Sequence, residues 1–216
     1  MNTHTIAAPI GLESGCCFES FVQQLSHQNW AIVDHFLTPE QCQSLRERID
    51  HLQKKGALHP AGIGKLQDFE LNREVRRDQI FWLDQQPDHP VSQEVVQLID
   101  ELRLYVNRTC FLGLKGFESH LTSYPPGSFY KRHRDRFRHL SHRVLSLVIY
   151  LNENWKTSDG GQLLIYENDE TIAVEPINGR AVLFASELEH EVLLSHANRY
   201  SVTCWMLDTL PGTTFL

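Results

Sequence analysis

The chain lacks the marks of several large protein classes. Its five cysteines (Cys16, Cys17, Cys42, Cys110 and Cys204) are odd in number, two are adjacent, and none form a CxxC pair. A regular disulfide framework is therefore excluded and a zinc–cysteine site fits poorly; free thiols in a reducing compartment fit well. No stretch approaches the roughly 20 apolar residues that cross a bilayer. The first fifteen residues lack the basic start and apolar run of a signal peptide. Internal repeats, low-complexity tracts and a clear linker are missing too. So is an excess of positive charge: the formal net charge is -7, which argues against nucleic acid as the main partner but leaves room for a local basic mouth. The expectation is a cytoplasmic monomer that binds neither membrane nor nucleic acid.

What the chain does have is enough apolar residue for a core, and a change of pattern half-way. Of its 216 residues 41% are hydrophobic, which suits a packed fold. One domain over 1–216 is the simplest organisation. Phe18, Phe21, Val22 and Leu25 recur at helical spacing. Cys42, Leu45, Ile49 and Leu52 do so behind Thr38-Pro39, a capping hydroxyl followed by a first-turn proline. Val91 to Leu112 carries a third stripe. Short strands are expected at Trp30–Asp34 and Ile80–Leu83. Residues 56–75, with Gly56, Pro60, Gly62 and Gly64, read as a long loop or irregular hairpin, a candidate substrate-contacting lid.

From Phe117 the period shortens to two. Strands are expected at 117–124, 129–133, 144–152, 162–166, 170–174, 181–185, 190–194 and 199–207. Turn chemistry separates several of them: Pro125-Pro126-Gly127, Asp159-Gly160-Gly161, Asn178-Gly179 and Ser195–Asn198. Eight strands after a helical first half predict an α+β fold. Its jelly-roll core would span about 114–208, with supporting N-terminal helices over about 16–113.

Chemistry concentrates at His133-Arg134-Asp135. In an extended chain residues i and i+2 point to the same side, so one strand offers an imidazole and a carboxylate to one ion. His190 could add a second imidazole, and two His plus one carboxylate is the facial arrangement of non-haem Fe(II) oxygenases. The triplet alone arises at close to chance frequency, and a surface His beside a solvated Asp is its bland reading. A hairpin argument adds weight. If the turn Ser195–Asn198 pairs Leu194 with Arg199, then His190 pairs with Thr203. His190, Val192 and Leu194 would share a face with Arg199, Ser201, Thr203 and Trp205. Arg199 would then look into the same cavity ~13 Å along the sheet. A five-carbon dicarboxylate could bridge metal and guanidinium, whose planar fork suits a carboxylate. A slip of one residue would turn Arg199 outward.

Other residues stay open. His196 is a rival third ligand. His139 and His142 read as solvated or substrate-facing, and the remaining histidines, His120 among them, receive no role. Tyr150 interrupts the apolar strand Val144–Asn152. Either it donates to the distal carboxylate or it is a core tyrosine with its hydroxyl at the barrel end. Tyr124 and Tyr130 share that ambiguity. Lys131, Arg132, Arg134, Arg136 and Arg138 form either a solvated face or a positive rim for an acidic protein substrate.

Taken together these pieces have a family look. Tyr124-Pro-Pro-Gly…Tyr130-x-x-His133-x-Asp135, Tyr150-Leu-Asn, Trp155, Gly160-Gly161-x-Leu163, His190-Glu-Val and Arg199-Tyr-x-x-Thr-x-Trp205 cover roughly residues 76–208. This set resembles the prolyl-hydroxylase branch of the 2-oxoglutarate- and Fe(II)-dependent dioxygenases, which includes the oxygen-sensing prolyl hydroxylases of animals and their bacterial relatives. The resemblance implies a double-stranded β-helix, Fe(II), and 2-oxoglutarate and O2 as co-substrates, and it admits ascorbate. It implies hydroxylation of a prolyl residue in a protein, a translation factor loop being one candidate, with succinate and CO2 as co-products. By position, His133, Asp135 and His190 resemble the iron ligands and Arg199 the holder of the 5-carboxylate. Tyr150 resembles the Tyr sharing that carboxylate, and Tyr124 one near the chelating end. Tyr130, Leu163, Thr203 and Trp205 resemble wall residues. Arg76-Arg77-Asp78 resembles the base of the loop that closes over the target proline, and Arg143 a substrate-side arginine. The loop at 60–75 and the Arg-rich turn after Asp135 depart from the family, which opens the question of substrate. A hydroxylase of a free amino acid or other small molecule, and a metal-binding jelly-roll without turnover, are the alternatives.

Overall fold

The change of pattern half-way along the chain is a change of layer. The structure, a computed structural model, describes residues 13–62, 72–83, 89–136 and 142–210. Three helices come from the first half: α1 (Glu13–Leu25), α2 (Pro39–Lys54) and α3 (Pro90–Cys110). Helix α2 starts where its sequence says it should. Gln41 N–H donates to Thr38 Oγ1 and Thr38 N–H donates to Gln41 Oε1, a reciprocal capping box before the first-turn proline.

The strands are β1 (Trp30–Val33), β2 (His59–Pro60), β3 (Gln79–Leu83), β4 (Gly116–Tyr124), β5 (Tyr130–His133), β6 (Arg143–Tyr150), β7 (Leu163–Glu167), β8 (Glu170–Val174), β9 (Ala181–Ala185), β10 (Glu189–Val192) and β11 (Arg199–Leu207). All eight strands expected of the jelly-roll form, with ends shifted by at most two residues. They divide into a seven-stranded sheet of order β1-β9-β6-β11-β4-β3-β2 and a four-stranded sheet of order β5-β10-β7-β8. Part of the expected irregular hairpin at 56–75 is the short β2–β3 pair, with His59 opposite Ile80; its residues 63–71 lie outside the described ones.

The large sheet has two unlike faces. On one, Leu121, Leu145, Leu147, Ile149, Val202, Cys204 and Met206 join Phe21, Leu45, Ile49, Ile99 and Leu102 of the helices in one apolar core. On the other, alternate residues of the same strands meet the small sheet around Tyr124, Tyr150, Leu163, Ile165, Val182 and Phe184. Strand β6 is nearly all apolar because it is covered on both sides, by helices on one and by the inter-sheet space on the other. Among the described residues Cys42, Cys110 and Cys204 are free thiols. Among the described residues no helix is long and apolar enough to cross a membrane.

Candidate metal and ligand site

Between the sheets lies a cavity lined by residues of both and partly open to solvent. His133 ends β5, Asp135 follows two residues later, and His190 is on β10 directly opposite His133 in the ladder. One ligand atom from each falls within 4.8 Å of the others. His133 Nε2 is 3.6 Å from Asp135 Oδ1, and His190 Nε2 is 3.4 Å from Asp135 Oδ2. Each ring turns its Nδ1 to a backbone carbonyl, of Lys131 at 2.8 Å and of Leu188 at 3.0 Å. That contact places the hydrogen on Nδ1 and leaves Nε2 with a free lone pair. Ser146 Oγ donates to Asp135 Oδ2 at 2.7 Å and is itself 2.8 Å from Ser186 Oγ, so the carboxylate is held from behind. Burial pushes His190 down to about 4, with Asp135 opposing. Burial alone would raise Asp135, but His190, His133 and Arg143 outweigh it and keep the carboxyl well below its usual range. A neutral imidazole at His190 beside the ionised Asp135 carboxylate suits metal binding.

Arg199 sits across the cavity, and the route to it corrects the sequence argument. Strands β10 and β11 are not a hairpin. β10 pairs with β5 and β7 in the small sheet, whereas β11 pairs with β4 and β6 in the large one. Arg199 stands opposite Tyr124, and Thr203 opposite His120 and Val148 rather than His190. The two residues share the cavity because they face each other from different sheets. The turn between them is tied to other loops: Ser195 N–H donates to Ser128 O, Gly127 N–H to Ser195 O, and Gly161 N–H to Leu194 O. These bonds carry the chain from one sheet to the other instead of folding it back.

The surroundings of Arg199 fit a carboxylate. Its side chain is 1% exposed, and its Nε donates to Gly161 O at 2.8 Å. Among the described residues no Asp or Glu pairs with it. Its guanidinium carbon lies 4.8 Å from the Tyr124 ring and 5.0 Å from the Tyr150 ring. The Tyr150 hydroxyl is buried against the Arg199 guanidinium and has no acceptor for its own hydrogen among the described residues. Burial raises that hydroxyl to about 12, Arg199 opposing, so it remains a donor. A buried guanidinium without an acid, beside a phenol without an acceptor, calls for an anion rich in oxygen. Gly160 and Gly161 make room for the Arg199 side chain and the Leu194 backbone beside it. A Cβ on Gly161 would lie 2.9 Å from Arg199 Cδ, one on Gly160 2.2 Å from Leu194 O, and both have positive φ.

The cavity gathers Arg76, Asp78, Tyr124, Tyr130, Leu163, Thr203 and Trp205 as well. Arg76 pairs with buried Asp78 at 2.6 Å, donates to Gly62 O at 3.1 Å, and lies 4.2 Å over the Tyr130 ring. The Tyr130 ring in turn stacks on His133 at 3.5 Å. Tyr150 and Arg143 stand behind the lining; Arg143 covers Trp205 at 3.4 Å. His196 is exposed on the turn, away from the triad. His142 pairs with Asp208, and His139 and Arg138 lie outside the described residues. The basic run is largely compensated: Arg132 and Arg134 meet Glu189, and Arg136 meets Glu187 and Asp208. The sequence reading missed His120, Thr122, Val148 and Phe184 in the lining, and Ser146 behind the triad. For His120 and Thr122 the signal was present, since residues 120, 122 and 124 of one strand share a face.

The sequence pattern of the 2OG-Fe(II) oxygenase superfamily matches residues 119–207. Human prolyl hydroxylase EGLN3 is 31% identical over 200 residues, covering 88% of this chain and 83% of that protein. The chain belongs to the prolyl-hydroxylase branch of that superfamily. The crystal structure of a Pseudomonas putida prolyl-4-hydroxylase superposes on this oxygenase with a TM-score of 0.82 at 36% identity, covering 88% of this chain and 98% of that one. A Trichoplax adhaerens prolyl hydroxylase, solved with a hypoxia inducible factor peptide fragment, gives 0.81 at 26% identity with 91% of each chain covered. The oxygenase is therefore a 2-oxoglutarate-dependent dioxygenase that uses Fe(II) and O2. Its His133-Asp135-His190 triad has the donor set for that ion.

Proposed function

We propose that the chain hydroxylates a prolyl residue of a protein substrate, consuming 2-oxoglutarate and O2 and releasing succinate and CO2. The observation that carries this reading is the acid-free, buried Arg199 facing a His-Asp-His triad across one cavity. The substrate class is supported by the prolyl-hydroxylase relatives and by the aromatic wall. Trp82 and Trp205 place aromatic surface at the mouth and wall of the cavity, which suits a saturated ring.

Bound Fe(II) supplies the redox chemistry that splits the oxo acid and inserts one oxygen atom into a C–H bond. The chain's own residues do the rest. His133, Asp135 and His190 present three donors on one side of the ion, and Ser146 fixes the carboxylate between them. Arg199 takes the distal carboxylate, with Tyr150 donating to its second oxygen and Tyr124 closing the side. Leu163 and Thr203 shape the channel between these ends. The Arg76–Asp78 pair holds the segment before β3 against Tyr130, so that the substrate side shuts out water. Arg143 keeps the Trp205 ring in place from behind.

The test is succinate formation from 2-oxoglutarate, with mass spectrometry of proline-containing peptides that include translation factor loops. A gain of one oxygen on a proline supports the reading. Turnover with free amino acids and none with peptides would move the substrate to a small molecule. Intact 2-oxoglutarate in the presence of iron, oxygen and cell extract would point to a binding protein without turnover.

A further inference from the structure

We propose that His120 is a positioning residue of the cavity, whose Nε2 hydrogen-bonds a carboxylate or carbonyl oxygen of a ligand bound beside the metal triad. The oxygen has two sources of the same chemistry: the inner end of the 2-oxo acid, or a backbone carbonyl of the substrate peptide.

His120 is 2% exposed and lines the cavity from β4. Its Nδ1 is engaged, 2.8 Å from Thr122 Oγ1. Its Nε2 is buried with no hydrogen-bond partner. A histidine kept for packing satisfies both nitrogens or turns one to water, because an unmatched buried polar atom costs about 1–3 kcal/mol. When the Thr122 hydroxyl donates to Nδ1, Nε2 carries the hydrogen and presents a donor, as an oxygen ligand requires. The ring cannot turn away, because Trp82 and Trp205 each lie 5.1 Å from it.

Its level in the sheet is right for such a ligand. His120 shares a row with Thr203 and Val148. Arg199 is four residues up the strand, ~13 Å away along the backbone. Two residues down is the row of Trp205 and Ser146, and Ser146 reaches Asp135. A dicarboxylate anchored on Arg199 extends toward the His120 row, and a peptide entering past half-exposed Trp82 meets the same row from the other side. Charge agrees with geometry. Burial first, then Arg76 and Arg143, push the imidazole down to about 3 against the pull of Asp78 and of the Leu121 backbone. The ring thus stays neutral and serves as a fixed hydrogen-bond partner rather than a proton carrier.

The oxo-acid source rests on the function proposed above, so the test reads binding apart from turnover. Purified wild type, His120→Met and His120→Gln are compared in two arms. One is calorimetric affinity for 2-oxoglutarate on Mn(II)-loaded protein. The other is KM and kcat for the peptide turned over fastest in the screen. The Met variant should weaken one arm by about tenfold, the worth of one hydrogen bond, and leave the other within about twofold. The Gln variant, which restores a polar nitrogen near the Nε2 position, should recover most of the loss. The affected arm names the source. Thr122→Val, which removes the hydroxyl that fixes the tautomer, should weaken the same arm severalfold and decides the matter if the Met variant does not fold. Unchanged values in both arms, or equal losses that Gln does not recover, would overturn the proposal and leave His120 as packing. If wild type turns over no peptide, the prolyl reading falls, and His120 stands or falls on the oxo-acid arm alone.

Discussion

Strand β11 lives in two solvents. Tyr200, Val202, Cys204 and Met206 face the helices in the large apolar core, while Arg199, Ser201, Thr203 and Trp205 face the cavity. The helix side is filled with hydrocarbon. The cavity side carries four buried polar atoms without protein partners: Tyr150 Oη, His120 Nε2, Ser201 Oγ and Trp205 Nε1. Each such atom costs stability on its own. These four border the space where an oxygen-rich ligand would sit, whereas Ser119 Oγ and Ser123 Oγ, unmatched on the opposite face of β4, border the apolar core.

The comparison breaks most sharply at the triad. His133→Ala should abolish metal binding and succinate formation while the metal-free protein melts near the wild-type temperature. Calorimetric titration with Mn(II) and a melting curve check this, and surviving metal affinity would refute the triad. On the dry face, Leu147→Ala should cost about 2–5 kcal/mol of stability and leave the 2-oxoglutarate affinity of the folded protein unchanged; denaturant unfolding beside calorimetry separates the two. Arg199→Gln should do the reverse, weakening 2-oxoglutarate about a hundredfold with little change in melting. Ser146→Ala, which releases only one oxygen of Asp135, should lower metal affinity by about tenfold.

The smallest effect is in pH. His120 is held near 3 when folded against an ordinary 6.5, so its neutral burial stabilises the fold above 6.5 and the contribution is lost as pH falls below that value. At about pH 5.5 the loss is on the order of 1 kcal/mol. His120→Gln should flatten the stability curve by that amount between pH 6.5 and 5.5, and a parallel curve would show that the ring is not neutral and buried.

Much of this was legible in the sequence because strand periodicity is local. The eight barrel strands and the common face of Arg199, Ser201, Thr203 and Trp205 follow from a period of two, whereas the hairpin register that turned that face toward His190 did not form. Which sheet a strand joins is not local. Ser195–Asn198 has the chemistry of a turn, but the bonds with Ser128, Gly127 and Gly161 decide that it crosses between sheets, and the bonded residues lie 33 to 68 positions apart in the chain. The compensation of the basic run was hidden likewise, since Glu187, Glu189 and Asp208 reach it through folding. His120 went unread as a lone histidine, although its spacing from Tyr124 put it on the cavity face.

The tight Gly160-Gly161 passage under Arg199 has a consequence for how the two sheets behave as jaws. The metal donors His133 and His190 are rooted in the small sheet, and the guanidinium is rooted in the large one. A dicarboxylate gripping both ends acts as a strut across the gap, and the Gly161 carbonyl on Arg199 Nε is the peg that sets its length. On the proposed function, co-substrate length would be gauged by the spacing of the two sheets, so a four- or six-carbon diacid should bind more weakly than 2-oxoglutarate.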